Sequence, residues 1–341
     1  MDQSSKTSKV SRDSGKIVLI KDDPIGNRIK SLYKVKTVQK RNAFKVFFEF
    51  FNCYDILPHN SKLLIIDCKL SLRKTFDMII SNEVTAAIIW DSQNCKYSGI
   101  LSSADLMQII KYFYHYGRRD ELVELDKWTI EMWKKYKDEN FNLITADVGN
   151  SIQDALKLIL ISNVRQIPIV DISSGNALHL LTKKRILKFL FKHLKQLPNP
   201  LYLEKTIEEL NIGTLWNVFT VFIDQKILDA WILICEKRKS SIPILDRSHN
   251  LIGIYTKTDA MKVLFMNKFH LLDENVAESL KMKSEIFPLV ETCLKSETLH
   301  IVINRLISKK IHSLVIINEK SKVIGILTLS DIMEYISREI A

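Results

Sequence analysis

The sequence predicts an α+β protein assembled from four copies of one helix–strand–turn–strand–helix unit. Two observations predict it. First, an apolar strand running into Ser or Thr, with a polar or charged residue three positions later, occurs four times. The copies are Gly99-Ile100-Leu101-Ser102-Ser103-Ala104-Asp105, His179-Leu180-Leu181-Thr182-Lys183-Lys184-Arg185, Gly253-Ile254-Tyr255-Thr256-Lys257-Thr258-Asp259 and Gly325-Ile326-Leu327-Thr328-Leu329-Ser330-Asp331. They lie roughly 70–80 residues apart, longer than a solenoid unit and long enough for a small domain. Second, each copy is preceded by the same elements in the same order. A unit of this kind has a small sheet with an apolar face left over, so the units are expected to pair.

The tail, residues 1–42, is rich in Ser, Lys and Asp and is expected to be mostly disordered. Apolar content then rises in Phe44-Lys45-Val46-Phe47-Phe48-Glu49-Phe50-Phe51, which reads as a short helix covering a core. The amphipathic helices of the four units are expected at Leu70 to Asn82, Ser151 to Asn163, Ile227 to Lys237 and Thr298 to Lys309. In the second, Ile152, Ala155, Leu156, Ile159 and Leu160 keep the spacing of a buried helical stripe. The first strands follow at Ala87-Ile88-Ile89-Trp90-Asp91, Pro168-Ile169-Val170-Asp171, Pro243-Ile244-Leu245-Asp246 and Val315-Ile316-Ile317-Asn318. A charged insertion, His115 to Asn140, is expected to be helical around Leu122-Val123-Glu124-Leu125 and Ile130-Glu131-Met132-Trp133. A second insertion, Gln196 to Gly213, contains Pro198-Asn199-Pro200 and separates the first pair of units from the second. The expected divisions are 1–42, 43–115, 116–195, 196–268 and 269–341.

The 341 residues are 46% hydrophobic and 26% charged, the balance of a soluble globular protein. A net charge of +11 fits a lysine-rich surface or an anionic partner. No zinc-finger spacing, basic zipper or aromatic-rich RNA signature accompanies it, so neither nucleic acid nor membrane is expected as a partner. Five scattered cysteines (Cys53, Cys68, Cys95, Cys235, Cys293) without a CxxC fit a reduced intracellular protein with buried thiols. No secretory signal, spanning segment, P-loop, GxGxxG or metal-ligand cluster is visible, and His59, His115 and His270 have no evident catalytic partner. The basic run Lys183 to Lys195 keeps the period of an ordinary packed helix.

The Ser/Thr-x-x-Asp motif has two compatible readings. The hydroxyl can cap a helix while the acid answers it from the third helical position. The carboxylate can also accept two hydrogen bonds from vicinal hydroxyls, and the helix start suits an anion.

The fourfold arrangement resembles the CBS domain, paired into two Bateman modules. The match extends outside the repeats. Tyr54-Asp55-Ile56-Leu57-Pro58, Trp90-Asp91-Ser92, Ile130-Glu131-Met132-Trp133, Ser174-Gly175-Asn176, Leu181-Thr182-Lys183-Lys184-Arg185 and Glu208-Glu209-Leu210-Asn211-Ile212-Gly213-Thr214 are similar to gamma subunits of AMP-activated protein kinase. The resemblance runs from about Phe44 to about Ile336. It implies a flat disc of two modules and a non-catalytic subunit without a cofactor. Such a subunit binds AMP, ADP or ATP and regulates a kinase alpha subunit held with a beta subunit. It implies a cytoplasmic location, with the nucleus as a second compartment.

Carried over residue by residue, the resemblance makes Asp105, Asp259 and Asp331 the ribose-binding candidates. Ser102, Thr256 and Thr328 are the matching hydroxyls, and Ser330 is a further one. Arg185 replaces the acid in the second copy and cannot accept ribose hydroxyls, so that cleft is expected to be blank. Arg165, Lys184, Lys257 and His312 are the phosphate-binding candidates. Thr85, Gln166 and Ser313 stand where the family has arginine, but each keeps a neutral donor. Two alternatives stay open: a structural gamma-like subunit with weakened sensing, and a stand-alone CBS protein for another adenosyl ligand.

Overall fold

The structure, a computed structural model, describes residues 25, 27–29, 42–115, 125–137, 143–194, 197, 203–257, 259–260, 263, 269–281 and 290–340. The expectations for 1–24 and 30–41, for Leu122-Val123-Glu124, for Pro198-Asn199-Pro200 and for Thr258 fall outside these residues.

Four three-stranded sheets carry the architecture. They are β1 (Ile65–Asp67), β2 (Ala86–Asp91) and β3 (Lys96–Ser102); β4 (Ala146–Asp147), β5 (Gln166–Asp171) and β6 (Asn176–Thr182); β7 (Val221–Phe222), β8 (Ser241–Leu245) and β9 (Leu251–Thr256); and β10 (Thr292–Leu294), β11 (Ser313–Ile317) and β12 (Val323–Thr328). In each, the first strand pairs parallel with the second and the second antiparallel with the third. Two strands per unit were expected, so the short parallel strand is an addition. Its two or three residues are too few to display alternation, and its partner lies beyond a crossover helix.

The helices are α1 (Ala43–Phe50), α2 (Leu72–Ser81), α3 (Ser103–His115), α4 (Ile130–Lys137), α5 (Ile152–Ile161), α6 (Lys183–Lys192), α7 (Ile207–Leu210), α8 (Ile227–Glu236), α9 (Val276–Lys281), α10 (Leu299–Ser308) and α11 (Leu329–Ile340). The crossover helices α2, α5 and α10 start on Ser71, Ser151 and Thr298, whose hydroxyls accept from the third helical amide. All four crossover helices end on a residue in left-handed backbone: Glu83, Asn163, Arg238 and Lys310, with φ between 50° and 57°. Two residues later the chain enters the sheet at Thr85, Arg165, Ser240 and His312. The same backbone turn therefore delivers four different side chains to equivalent places.

Two apolar cores form. One joins units 2 and 4 with α1, and the other joins units 1 and 3 with α4 and the stretch around Leu272 to Leu280. Units 1 and 2, and units 3 and 4, instead meet through polar contacts near their sheets. The Ala177 amide donates to Tyr97 Oη at 3.1 Å, and Lys322 Nζ donates to Ser248 O and Asn250 Oδ1 at 2.7 Å. Across the other pairings, Lys111 meets Glu236 at 2.8 Å and Lys184 Nζ donates to Lys310 O at 2.9 Å. The four units thus close a ring in the order 1–2–4–3.

Within the tail, five positions are described. Residues 25 and 27–29 are helical, Ile29 is fully buried, and Arg28 pairs with Asp55 at 2.5 Å. The Arg28 guanidinium also lies 5.3 and 5.0 Å from the Phe50 and Phe51 ring centres. A single apolar residue with one ion pair is invisible to a composition average. The five cysteines are free thiols, with Cys53, Cys68 and Cys293 buried. Among the described residues no helix is long and apolar enough to cross a membrane, and no cluster could hold a metal ion.

Candidate functional site

Each motif Asp first works as a helix-start acid. Asp105 Oδ2 accepts from the Ser102 amide and hydroxyl, both at 2.6 Å. Asp259 Oδ2 accepts from the Thr256 amide at 2.8 Å and hydroxyl at 2.6 Å. Asp331 Oδ2 accepts from the Thr328 amide at 2.7 Å and hydroxyl at 2.8 Å. Thr256 and Thr328 answer by accepting the Asp259 and Asp331 amides at 3.3 and 3.4 Å. The cap therefore occupies Oδ2 and engages the matching hydroxyls. In Asp105 and Asp331 these bonds use Oδ2 and not Oδ1.

A cleft is completed by the segment leading into the neighbouring unit. Thr214, ahead of unit 3, exchanges both backbone hydrogen bonds with Ile326 of β12, at 2.9 and 3.0 Å. Gly325 is required beneath it, because a Cβ there would meet Leu215 Cδ2 at 2.9 Å and Thr214 O at 3.0 Å. In unit 2 the same strand position is His179, opposite Ile169 as Gly325 is opposite Ile316. Its Nδ1 meets Ser61 Oγ at 2.7 Å, and Arg185 Nε donates to Ile56 O at 2.8 Å. These two side chains of unit 2 thus brace the lead-in of unit 1.

The phosphate-binding candidates converge from three units. Arg165 Nη2 reaches Arg238 O at 3.4 Å, and Lys184 Nζ reaches Lys310 O at 2.9 Å and His312 Nε2 at 3.4 Å. Burial and then Arg165 push the Lys257 ammonium down to about 7, against the opposing pull of Cys235 and Asp105. Arg165 in turn feels the Asp105 carboxylate. One carboxylate of unit 1 therefore lies within electrostatic reach of cations of units 2 and 3. Lys183, missed in the sequence, belongs to this centre. Burial lowers its pKa, Glu334 and Asp331 oppose that, and Arg165 adds to it. It follows Thr182 as Lys257 follows Thr256, and that register could have revealed it. Ser330 is exposed and meets Lys183 Nζ at 3.4 Å.

The Ser313 hydroxyl is buried against Ser241 Oγ at 2.7 Å, a pair in which either group can donate. At His312, surrounding protein first, then Lys184 and Arg165, push the pKa down to about 4, so the neutral ring is left facing Lys184. Thr85 is exposed, with its carbonyl accepting the Ser103 amide at 2.9 Å, and Gln166 opens β5 opposite Thr182.

The His312 shift has a sign. Between pH 6.5 and 4 the unfolded chain binds a proton at this position that the folded chain does not. Its contribution therefore makes stability fall as pH falls through that window. Urea midpoints measured across it should drop less in His312→Gln than in the unmodified chain. Equal drops would show that the ring is not held neutral.

The larger cavity, about 460 Å³, is lined by Val290, Thr292, Cys293, Leu294 and the Glu297–Arg305 ion pair. None of the candidate residues lines it.

A family model of the CBS domain matches residues 137–192, 212–265 and 277–338, together half of the chain. The gamma-3 subunit of 5'-AMP-activated protein kinase from Sus scrofa is 31% identical over 84% of this chain and 56% of its own length. The Homo sapiens gamma-3 subunit is 30% identical over 84% of this chain and 59% of its own. The chain thus spans just over half the length of these curated relatives. Among solved structures, a Methanocaldococcus jannaschii protein proposed as an archaeal homologue of that gamma subunit superposes with a TM-score of 0.66. It covers 84% of this chain and all of its own, at 17% identity. An uncharacterised conserved protein from Pyrococcus horikoshii gives 0.50 over 83% and 99%, also at 17% identity. These two likenesses concern the fold. Four sheets and capped Ser/Thr-x-x-Asp motifs, with these matches, place the chain in the CBS-domain family, with similarity to the AMP-activated protein kinase gamma-3 subunits.

Proposed function

We propose that this protein is a non-catalytic, gamma-type regulatory subunit that binds AMP, ADP or ATP and regulates a kinase alpha subunit held with a beta subunit. Its proposed place of work is the cytoplasm, with the nucleus as a second compartment. Its ribose-binding candidates are Asp105, Asp259 and Asp331.

The observation that carries the reading is the meeting of basic side chains from different units, Arg165 Nη2 on Arg238 O and Lys184 Nζ on Lys310 O and His312 Nε2, with the Asp105 carboxylate within electrostatic reach of Arg165 and Lys257. A ribose monophosphate offers hydroxyls to a carboxylate at one end and an anion to cations at the other. Because the cations belong to other units, a bound phosphate changes how the ring holds together. Regulation follows only if the kinase complex binds nucleotide with different affinity in its active and inactive states.

Isothermal titration of AMP into the full chain tests this. Binding is expected in the unmodified protein, with at least one equivalent lost in Asp105→Asn. No binding at millimolar AMP would remove the sensing role.

A second reading, a structural subunit with weakened sensing, is favoured by the Ser313 hydroxyl being committed to Ser241. It predicts co-purification with alpha and beta partners and kinase activity that AMP leaves unchanged.

A further inference from the structure

The Asp331 cleft takes a wall from the lead-in of unit 3. The lead-in of unit 3 turns sharply at Gly213, with φ of 94°, and lies along β12 through the Thr214–Ile326 pair. Three residues later Asn217 takes a left-handed conformation, φ 52°, ahead of Val218 and Phe219. The Phe219 ring sits between two ammonium groups, Lys237 Nζ at 5.3 Å and Lys239 Nζ at 5.9 Å from its centre. Thr214, Asn217, Val218, Phe219, Ser241 and Ile326 surround the space that remains. That space is about 10 Å³. It holds one water at most, whereas small-molecule sites run to about 300 Å³ and more. Ile326, on the wall of this space, is two residues before Thr328, which ends β12 and whose hydroxyl is bonded to Asp331.

We infer that Phe219 is a built-in occupant of the Asp331 cleft and excludes an adenine nucleotide from it, making Phe219 the residue that decides how many nucleotides the protein holds. The inference rests on the nucleotide reading above and deepens it. In unit 2, His179 and Arg185 brace the lead-in of unit 1. Unit 4 is filled by an aromatic ring from unit 3. Units 2 and 4 share the half of the ring built on the 2–4 core. Unlike Arg185, which has no acceptor to offer ribose, Phe219 leaves the carboxylate in place behind it. The Asp331 cleft therefore lacks room and not recognition chemistry.

The test is AMP stoichiometry of the full chain by isothermal titration. Phe219→Ala is expected to bind one equivalent more than the unmodified protein, and Phe219→Ala combined with Asp331→Asn is expected to lose that equivalent again. Phe219→Val serves as a second opening variant should the alanine chain fold poorly. Unchanged stoichiometry in both opening variants overturns the inference, as does an added equivalent that survives Asp331→Asn. If the unmodified chain binds AMP and the opening variants add nothing, the inference fails and the nucleotide reading stands. If the unmodified chain binds none and Phe219→Ala binds one Asp331-dependent equivalent, Phe219 has its assigned role and the Asp105 site fails.

Discussion

Arg165→Gln is expected to raise the Kd of the full chain for AMP by about 10- to 100-fold. The Arg165 field couples to Asp105, Lys257, Lys183 and His312, in all four units. A charge-assisted hydrogen bond to phosphate contributes about 1.5–3 kcal/mol, which is one to two decades of affinity. Glutamine keeps one neutral donor and loses the forked, permanently charged group. The same substitution removes the second-largest influence holding Lys257 near neutrality, so the Lys257 ammonium regains protonation. In the unmodified chain a bound phosphate favours the charged form of Lys257, and binding near pH 7 takes up protons. In Arg165→Gln that uptake shrinks. Titrations in two buffers of different ionisation enthalpy measure both effects. Unchanged affinity with unchanged proton uptake would remove Arg165 from the phosphate end.

Phe47→Ala should destabilise the fold by about 3–5 kcal/mol, the usual cost of emptying a buried aromatic position. Phe47 is fully buried on α1. Its ring centre lies 4.8 Å from Phe51, 5.4 Å from Phe189 and 5.8 Å from Phe48. Phe189 belongs to α6, so the same ring ties α1 to unit 2. The neighbours are themselves rigid aromatics and collapse poorly into the space left. The urea midpoint with an unchanged slope reads the loss. Phe50→Ala is the control on the same helix: Phe50 is 41% exposed, and a change below about 1 kcal/mol is expected. Similar losses for both would mean that α1 detaches as a unit and that Phe47 does not anchor it.

The repeat, the order of its elements and the identity of the capping acids were legible because they are local. Ser71, Ser151 and Thr298 sit next to the helices they start, and Asp105, Asp259 and Asp331 sit three residues from the groups they bond. The short parallel strands were not legible, since two or three residues carry no period and their partners lie across a helix. Lys183 was passed over although its register equals that of Lys257. The partner of Ser313, Ser241, was not legible because it is 72 positions away. His179 took the glycine place of its strand in plain view, yet its consequence appears only when Ser61 arrives beside it.

The sequence alone determined that four like units follow one another, that three carry an acid and one an arginine, and that three family arginines are replaced. Those properties are written in residue types and short spacings. Only the tertiary structure decided which units share a core and which cations come within electrostatic reach of Asp105. Units 1 and 2, and units 3 and 4, meet through polar contacts, while the apolar faces of α3 and α8 bury between units 1 and 3 and those of α6 and α11 between units 2 and 4. Each cleft borrows a wall from a neighbouring lead-in. Its surroundings then include a side chain such as Phe219 or His179, which is distant in sequence and adjacent only after the ring closes.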